Sequence, residues 1–577
     1  MFKLSLVAFL AGLAAACSAK EPPPPPSGSR DAAFRALVKD ILEDHYKRHP
    51  SQATDLGIHH YDDQIEDLSQ AGIRGELDAA RVFRSKLAAF DASTLTPDNA
   101  LDREQLIHST DARILELDTI RMWSKDPDSY SGAVTNAAYV VMKRAYADAP
   151  VRLAALIARE KKMPAVLQEA RVNIDHAVPI YTQIAIEQID GNISFFENDV
   201  PAAFKDVNDQ ALLAEFKKTN DSVIAALGDY KRFLQKQLLP NAKEGFAFGA
   251  DTFSKALSAQ EGVNIPLDRL LQIAEADRQK NEEAFQATAR KLDSTQPADK
   301  LLASFQVDHP PAANLLQTTQ DTLDSIRQFI VDHRLVSIPA GEPAKVKETP
   351  PFMRSTTSAS MDIPGPFETA RLQAFYNMTL PNPKWPHSEQ EEFMRQWYRA
   401  MISNVSVHEV YPGHYLQFLY AKDFPSDVRK VYGAATNIEG WAHYCEQMML
   451  DEGFHGDDSK YRLAQLQDAL LRDVRFIAGI KMHTQGMTVE EATRLFETQA
   501  HQPHPVALSE AKRGTADALY GYYTLGKLML LKLRADYAAK LGAGYTLQSF
   551  HDAFIKIGPL PIALVRKAML GEEGSLL

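Results

Sequence analysis

The sequence predicts a mainly α-helical protein with one small β element set late in the chain. Three observations carry that prediction. Apolar residues recur at helical spacing through most of the 577 residues, glycine is sparse at 28, and the rhythm lapses between Arg334 and Pro386.

The first helix follows Asp31, where Phe34, Leu37, Val38, Ile41, Leu42 and Tyr46 keep an i, i+3, i+4, i+7, i+8 order that stops at His49-Pro50. Similar patterns recur near 101–117, 151–190, 210–238, 266–292 and 312–333, without a repeat of fixed period. In the lapse, LVSIP at 335–339, AKVKE at 344–348 and LQAFYNMTLP at 372–381 read as short strands punctuated by proline and glycine. An exposed edge on the last of these could pair with an extended peptide. Helices resume near Ser388. The expected architecture is one large helical domain over 31–577, with lobes of approximately 31–330 and 331–577. A central cleft would separate them, with the β element near 335–381 beside it.

Composition bounds the function. Hydrophobic residues at 45% and charged residues at 24% are ordinary for a globular protein, and a net charge of −12 argues against a nucleic-acid binder. The opening MFKLSLVAFLAGLAAAC reads as an export signal, with Lys3 as its basic start and an apolar run shorter than the ~20 residues that span a bilayer. Two cleavage readings fit. Ala14-Ala15-Ala16 suits an ordinary signal peptidase, while small residues before Cys17 resemble a bacterial lipobox with Ala14 where leucine is commoner. Pro22 to Pro26 would form a stiff tether, which favours lipid on Cys17. Residues 1–16 are then a signal peptide and 17–30 a lipid-attachment site and tether, placing the protein in the periplasm, at the outer membrane if the cell is Gram-negative. The other cysteine, Cys445, lies in a helical pattern, so no disulfide is expected.

Residues 407–416 read VHEVYPGHYL. Zinc hydrolases commonly use His-Glu-x-x-His, which stacks two imidazoles on one helix face. Here His408 and His414 are farther apart, and in a regular helix they would stand about 120° around and about 9 Å along the axis. The helix cannot be regular, because Pro412 offers no N–H to the carbonyl of residue 408 and Gly413 loosens the backbone further. The residues that break the spacing also break the helix, so the second imidazole can be re-aimed. A third ligand is at hand in Glu439 of NIEGWAHYCEQMML. Zinc peptidases of the glutamate-ligand type carry such a residue on a second, antiparallel helix, and KDFPSDVRKVYGA can make the reversal. Two histidines and a carboxylate leave one zinc position open.

HEVYPGH and EGWAHYCE are also the residues of a resemblance. The chain resembles the bacterial domain-of-unknown-function family 885, marked by HExxPGH followed by EGWAxYxE. The likeness includes IKMHTQGMTVEEA at 480–492, RGTADALYGYYTLGKL at 513–528 and SFHDAFIKIGPLPIALVR at 549–566. That family resembles the helical zinc peptidases typified by thimet oligopeptidase and angiotensin-converting enzyme. The resemblance implies a two-lobed metallopeptidase-like fold with one zinc on His408, His414 and Glu439. Two positions depart from the pattern: His443 stands where an aliphatic residue is typical, and Gly479 replaces an acidic residue four before His483. His443 shares the Glu439 face and could compete as a ligand or lie behind one.

Supporting residues follow. Glu409 would be the general base, as the corresponding glutamate is in zinc peptidases. Glu446, two turns after Glu439, could receive the outer N–H of a ligand histidine. Tyr520, Tyr522 and Tyr523 cluster, and the family pattern favours Tyr523 first and Tyr520 second, on one face, as the oxyanion donor. Arg513 could hold a substrate carboxylate and His483 could donate to the same intermediate. The expected function is zinc-dependent hydrolysis of short peptides by an exported, lipid-anchored protein. Two other readings remain open: a lipoprotein that binds a ligand without chemistry, which has no use for Glu409, and a zinc hydrolase of a non-peptide amide or ester.

Overall fold

The computed structural model describes residues 27–341, 343–350, 354, 357–370, 373–571 and 573–577. The signal segment, Cys17 and the Pro22–Pro26 run lie outside the described residues. The fold is mainly α-helical with one small sheet, as the sequence predicts. The first helix, Ser27–Arg48, buries Phe34, Leu37, Ile41, Leu42 and Tyr46, the predicted stripe. His49-Pro50 ends it, and the chain restarts as Pro50–Leu56.

Packing groups the helices into two main cores. Helices between Tyr130 and Leu238 close one around Val134, Leu153, Phe196, Val223 and Tyr230. The larger core draws on Ala250–Glu261, Leu267–Leu292 and Leu315–His333 together with the helices after Arg399, so it runs across residue 330. Leu267–Leu292 lies along Ser459–Thr484, and Ala435–Asp451 lies along Tyr522–Leu541.

The β element is a three-stranded sheet of β1 (Lys345–Glu348), β2 (Ala359–Asp362) and β3 (Phe375–Met378) in the order β1-β3-β2. β1 pairs parallel and β2 antiparallel with β3. This corrects two expectations. LVSIP forms no strand, its Leu335 and Val336 being buried in the large core as irregular chain. LQAFYNMTLP supplies the central strand instead of an exposed edge, because β2 occupies its other side. β2 itself reads Ala-Ser-Met-Asp, too short and without the β-branched residues that signal a strand.

Two contacts set the helices of the site. Glu261, on a distant helix and buried, accepts the Ala435 N–H at 3.2 Å, the Thr436 N–H at 2.8 Å and the Thr436 hydroxyl at 2.6 Å. It caps Ala435–Asp451 from outside, with negative charge at the positive end of the helix. Farther along, that helix meets Tyr522–Leu541 backbone to backbone. A Cβ on Gly440 would stand 2.5 Å from the Gly526 Cα, and one on Gly526 would stand 2.0 Å from the Thr436 carbonyl oxygen. The Gly of EGW and the Gly of TLGK are there to let these helices touch.

Candidate metal centre

Helix Arg399–Glu409 carries His408 one residue from its end, and His414 opens the next helix, His414–Leu419. Between them the chain turns so tightly that a Cβ on Gly413 would lie 1.8 Å from the His408 carbonyl oxygen. Only glycine fits. The turn brings the imidazoles together with centroids 4.7 Å apart and planes at 86°. The Trp441 indole N–H donates to the Pro412 carbonyl at 2.8 Å, fastening the second ligand helix to this turn.

On that helix, Glu439 Oε2 lies 3.4 Å from His408 Nε2 and 3.4 Å from His414 Nε2. Donors around a tetrahedral zinc at ~2.0–2.1 Å stand about 3.3–3.4 Å apart, since a tetrahedron's edge is about 1.63 times its radius. Glu439 Oε2 is buried and makes no hydrogen bond, as suits an atom reserved for a cation. Among the described residues, His408, His414 and Glu439 form the one group of three placed to hold a metal ion. Burial pushes the Glu439 carboxyl up, but the charge of His414 and contacts with both histidines outweigh it and hold the group well below its usual range.

Behind the trio, Glu446 Oε1 accepts from His408 Nδ1 at 2.6 Å. This turns Nε2 toward the other ligands and fixes the tautomer that coordinates a metal. Burial works against charge on His408, yet Glu439 and Glu446 outweigh it and raise its pKa to about 10, so a metal must displace a proton here. His443 faces Glu446, Nδ1 to Oε2 at 3.2 Å, and is fully buried away from the trio. Burial first, then the Lys527 charge, lower its pKa to about 3, leaving a neutral partner for Glu446.

Glu409 follows His408 directly and is half-buried. Its charge reaches the fully buried Tyr376 of β3, whose hydroxyl is raised by burial and then by that charge. The sheet therefore stands beside Glu409.

The tyrosines separate. Tyr523 lies with its ring 6.3 Å from that of His408 and is 8% exposed. Tyr520 sits in the turn before the helix, which starts at Tyr522, so the two do not share a helical face. Its ring packs on Gly479 and Gly514, where a Cβ would meet it at 3.2 and 2.4 Å respectively, and its hydroxyl is buried without a hydrogen bond. Gly479 is glycine first to clear the Ala518 carbonyl oxygen, 2.7 Å from where its Cβ would stand, and then the Tyr520 ring. His483 spends both ring nitrogens on backbone, Nε2 with the Gly514 carbonyl at 2.8 Å and Nδ1 with the Phe248 N–H at 3.4 Å. Arg513 binds Asp517 and the Tyr522 hydroxyl, each at 3.0 Å. The structure thus brings Tyr523 to the histidines, with the Arg513 guanidinium carbon 6.0 Å from its ring centroid, and gives Tyr520 and His483 other neighbours.

Arg472 was not legible as a site residue. Its guanidinium lies 3.0 Å from Glu446 and 3.2 Å from Asp468. The available signal was charge at helical spacing, Asp468, Arg472 and Arg475, in a helix that carries other polar residues besides.

Comparison with known proteins agrees with this architecture. The family model described as "Bacterial protein of unknown function (DUF885)" matches residues 50–569. The fold is similar to the solved structure of a "putative lipoprotein of unknown function" from Shewanella oneidensis, with a TM-score of 0.79, 24% identity, and coverage of 93% of this chain and 99% of that one. It is also similar to a "putative lipoprotein" from Colwellia psychrerythraea, with a TM-score of 0.79, 16% identity, and coverage of 94% and 99%. Comparison with curated proteins gives no match.

Proposed function

Because this chain belongs to the bacterial family DUF885, which it matches over 50–569, its metal centre has to speak for its chemistry, and from that centre we propose a zinc-dependent hydrolase of short peptides. The observation that carries the reading is the trio of His408, His414 and Glu439, with both Nε2···Oε2 separations at 3.4 Å and Glu409 adjacent. The resemblance to helical zinc peptidases of the thimet oligopeptidase and angiotensin-converting enzyme type supports the same choice.

Zinc bound there would supply a Lewis acid that polarises a carbonyl and acidifies water near neutrality. Glu409 takes the proton of the attacking water and returns it to the leaving amine. Tyr523 donates its hydroxyl to the oxyanion that develops at the scissile carbonyl. Glu446 keeps His408 in the tautomer that leaves Nε2 for the metal. With β3 central, an extended substrate would use the outer edge of β2. The Thr379 N–H bonds Ser358 O at 2.9 Å, which places Ser358, Ser360 and Asp362 toward β3 and turns the main chain of Ala359 and Met361 outward. The description of each of the two similar structures as a "putative lipoprotein" supports lipid attachment at Cys17 and a place in the cell envelope. No helix of the described residues is long and apolar enough to cross a membrane.

The test is digestion of a peptide library with the purified protein, with and without chelator. Cleavage that chelator abolishes and zinc restores is expected, and Glu409→Gln should retain zinc while losing at least ~10²-fold in turnover. Metal-independent cleavage, or full turnover in Glu409→Gln, would reject the mechanism. Zinc-dependent release from amide or ester substrates alone would move the assignment to a non-peptide hydrolase.

A further inference from the structure

We propose that Arg472 is a positioning residue that couples the metal ligand His408 to the oxyanion donor Tyr523. The inference rests on the zinc-hydrolase reading and adds a residue to which neither the motif nor the family description assigns a role.

The Arg472 guanidinium is buried, at 8% exposure, with Glu446, Asp468 and, at 3.4 Å from Nη2, His408 Nδ1 on one side and the Tyr523 ring on the other. Its Nη2 lies 3.0 Å from Glu446 Oε1, and its Nη1 donates to Oε2 at 3.3 Å. That carboxylate is the one that accepts His408 Nδ1–H at 2.6 Å. Nη1 also lies 3.2 Å from Asp468, which in turn accepts from Asn404 on the His408 helix at 2.7 Å. The plane of the guanidinium is therefore fixed from the side of the metal ligand.

Its other neighbour is Tyr523. The guanidinium carbon stands 5.4 Å from the Tyr523 ring centroid, and that of Arg475, one turn on, stands 5.1 Å from it. Arg475 is itself held by Glu510 through two bonds of 2.7 Å. Two anchored guanidinium groups, with that of Arg513 farther off at 6.0 Å, thus flank the ring that approaches His408. One rigid planar group bears on both the histidine's carboxylate and the tyrosine's ring, so displacing it disturbs both. Lysine would preserve the charge but provide neither the fork nor the plane.

The experiment compares Arg472→Lys and Arg472→Met with wild type in zinc affinity, by competition with a chromogenic chelator, and in kcat and KM. Each is repeated in a Tyr523→Phe background. Arg472→Lys should melt as wild type does and bind zinc 10–100-fold more weakly, the usual range when a ligand's outer partner is disturbed. At saturating zinc it should lose kcat with KM nearly unchanged, and most of that loss should vanish when Tyr523 is already Phe. Arg472→Met should show the same pattern more strongly, and if it fails to fold the lysine variant decides. Unchanged zinc affinity in Arg472→Lys overturns the inference, as do kcat losses that simply multiply with that of Tyr523→Phe. A wild type that binds no zinc brings down the metal reading, whereas a zinc-binding wild type beside an indifferent Arg472→Lys brings down this inference alone.

Discussion

Tyr523 reaches the edge of the metal trio while Tyr520 is walled in by Gly479 and Gly514, and the two should behave differently. Tyr523→Phe is expected to lower kcat by about 10²–10³ with KM little changed, the cost of one donor used only as charge develops. Tyr520→Phe should leave kcat within a few-fold, because its hydroxyl points at Gly514. Steady-state kinetics on the pair checks both, and a crippled Tyr520→Phe beside a silent Tyr523→Phe would reverse the roles. His414→Ala should release most of the zinc, measured by elemental analysis, because one of three protein ligands is gone. Full zinc retention in that variant would reject the trio. The two histidines and Glu439 were legible because the residues that spoil the spacing, Pro412 and Gly413, announce the break that repairs it. Arg472 was not, since a lone arginine in a helix says nothing of the carboxylate it will meet from another helix.

At the scale of elements, the site depends on how Ala435–Asp451 is held. Glu261 holds its start, and the Gly440–Gly526 contact holds its middle. Gly526→Ala would drive a methyl into the Thr436 carbonyl, and the helices would have to part. The expected cost is about 1–3 kcal/mol of stability, with a larger loss of turnover because Tyr523 sits one turn before the contact. Thermal melts read beside kcat would show it, and an unchanged Tm would mean the crossing is looser than the distances say. The motif glycines EGW and TLGK were visible in the sequence, but their purpose was not, because each is needed only for the other. The β element was partly visible. β1 and β3 lie in segments with β-branched or aromatic residues, whereas β2 has neither and is made a strand by pairing with β3, a tertiary effect that local pattern cannot show.

Over the whole molecule, two acids in and beside the Tyr130–Leu238 core, the buried Glu160 and the half-buried Asp126, each make stability depend on pH. Burial, opposed by a bond from Thr219, raises Glu160 to about 8, and its other oxygen is buried without a partner. Burial and then the Asp128 charge raise Asp126 to about 7. Both groups are neutral in the fold but ionise near pH 4–4.5 in the unfolded chain. Through these two groups the unfolded state binds fewer protons between those values, so their contribution to stability should be lost as pH rises from about 4.5 to about 8, opposite in sign to that of buried neutral histidines such as His443. Glu160→Gln should flatten that decline and melt above wild type at pH 8 but not at pH 4.5. A parallel pH profile in the variant would show that Glu160 is ionised in the fold. The helical class was legible from periodicity alone, while the sharing of the large core between helices before and after residue 330 depends on contacts far apart in sequence. The glycine crossing also has a mechanical meaning. At Gly440 and Gly526 no side chain separates the two backbones, so the Glu439 helix and the Tyr523 helix form a welded joint. Any movement that opens the site is expected to pivot elsewhere and to leave the spacing of Glu439 and Tyr523 unchanged.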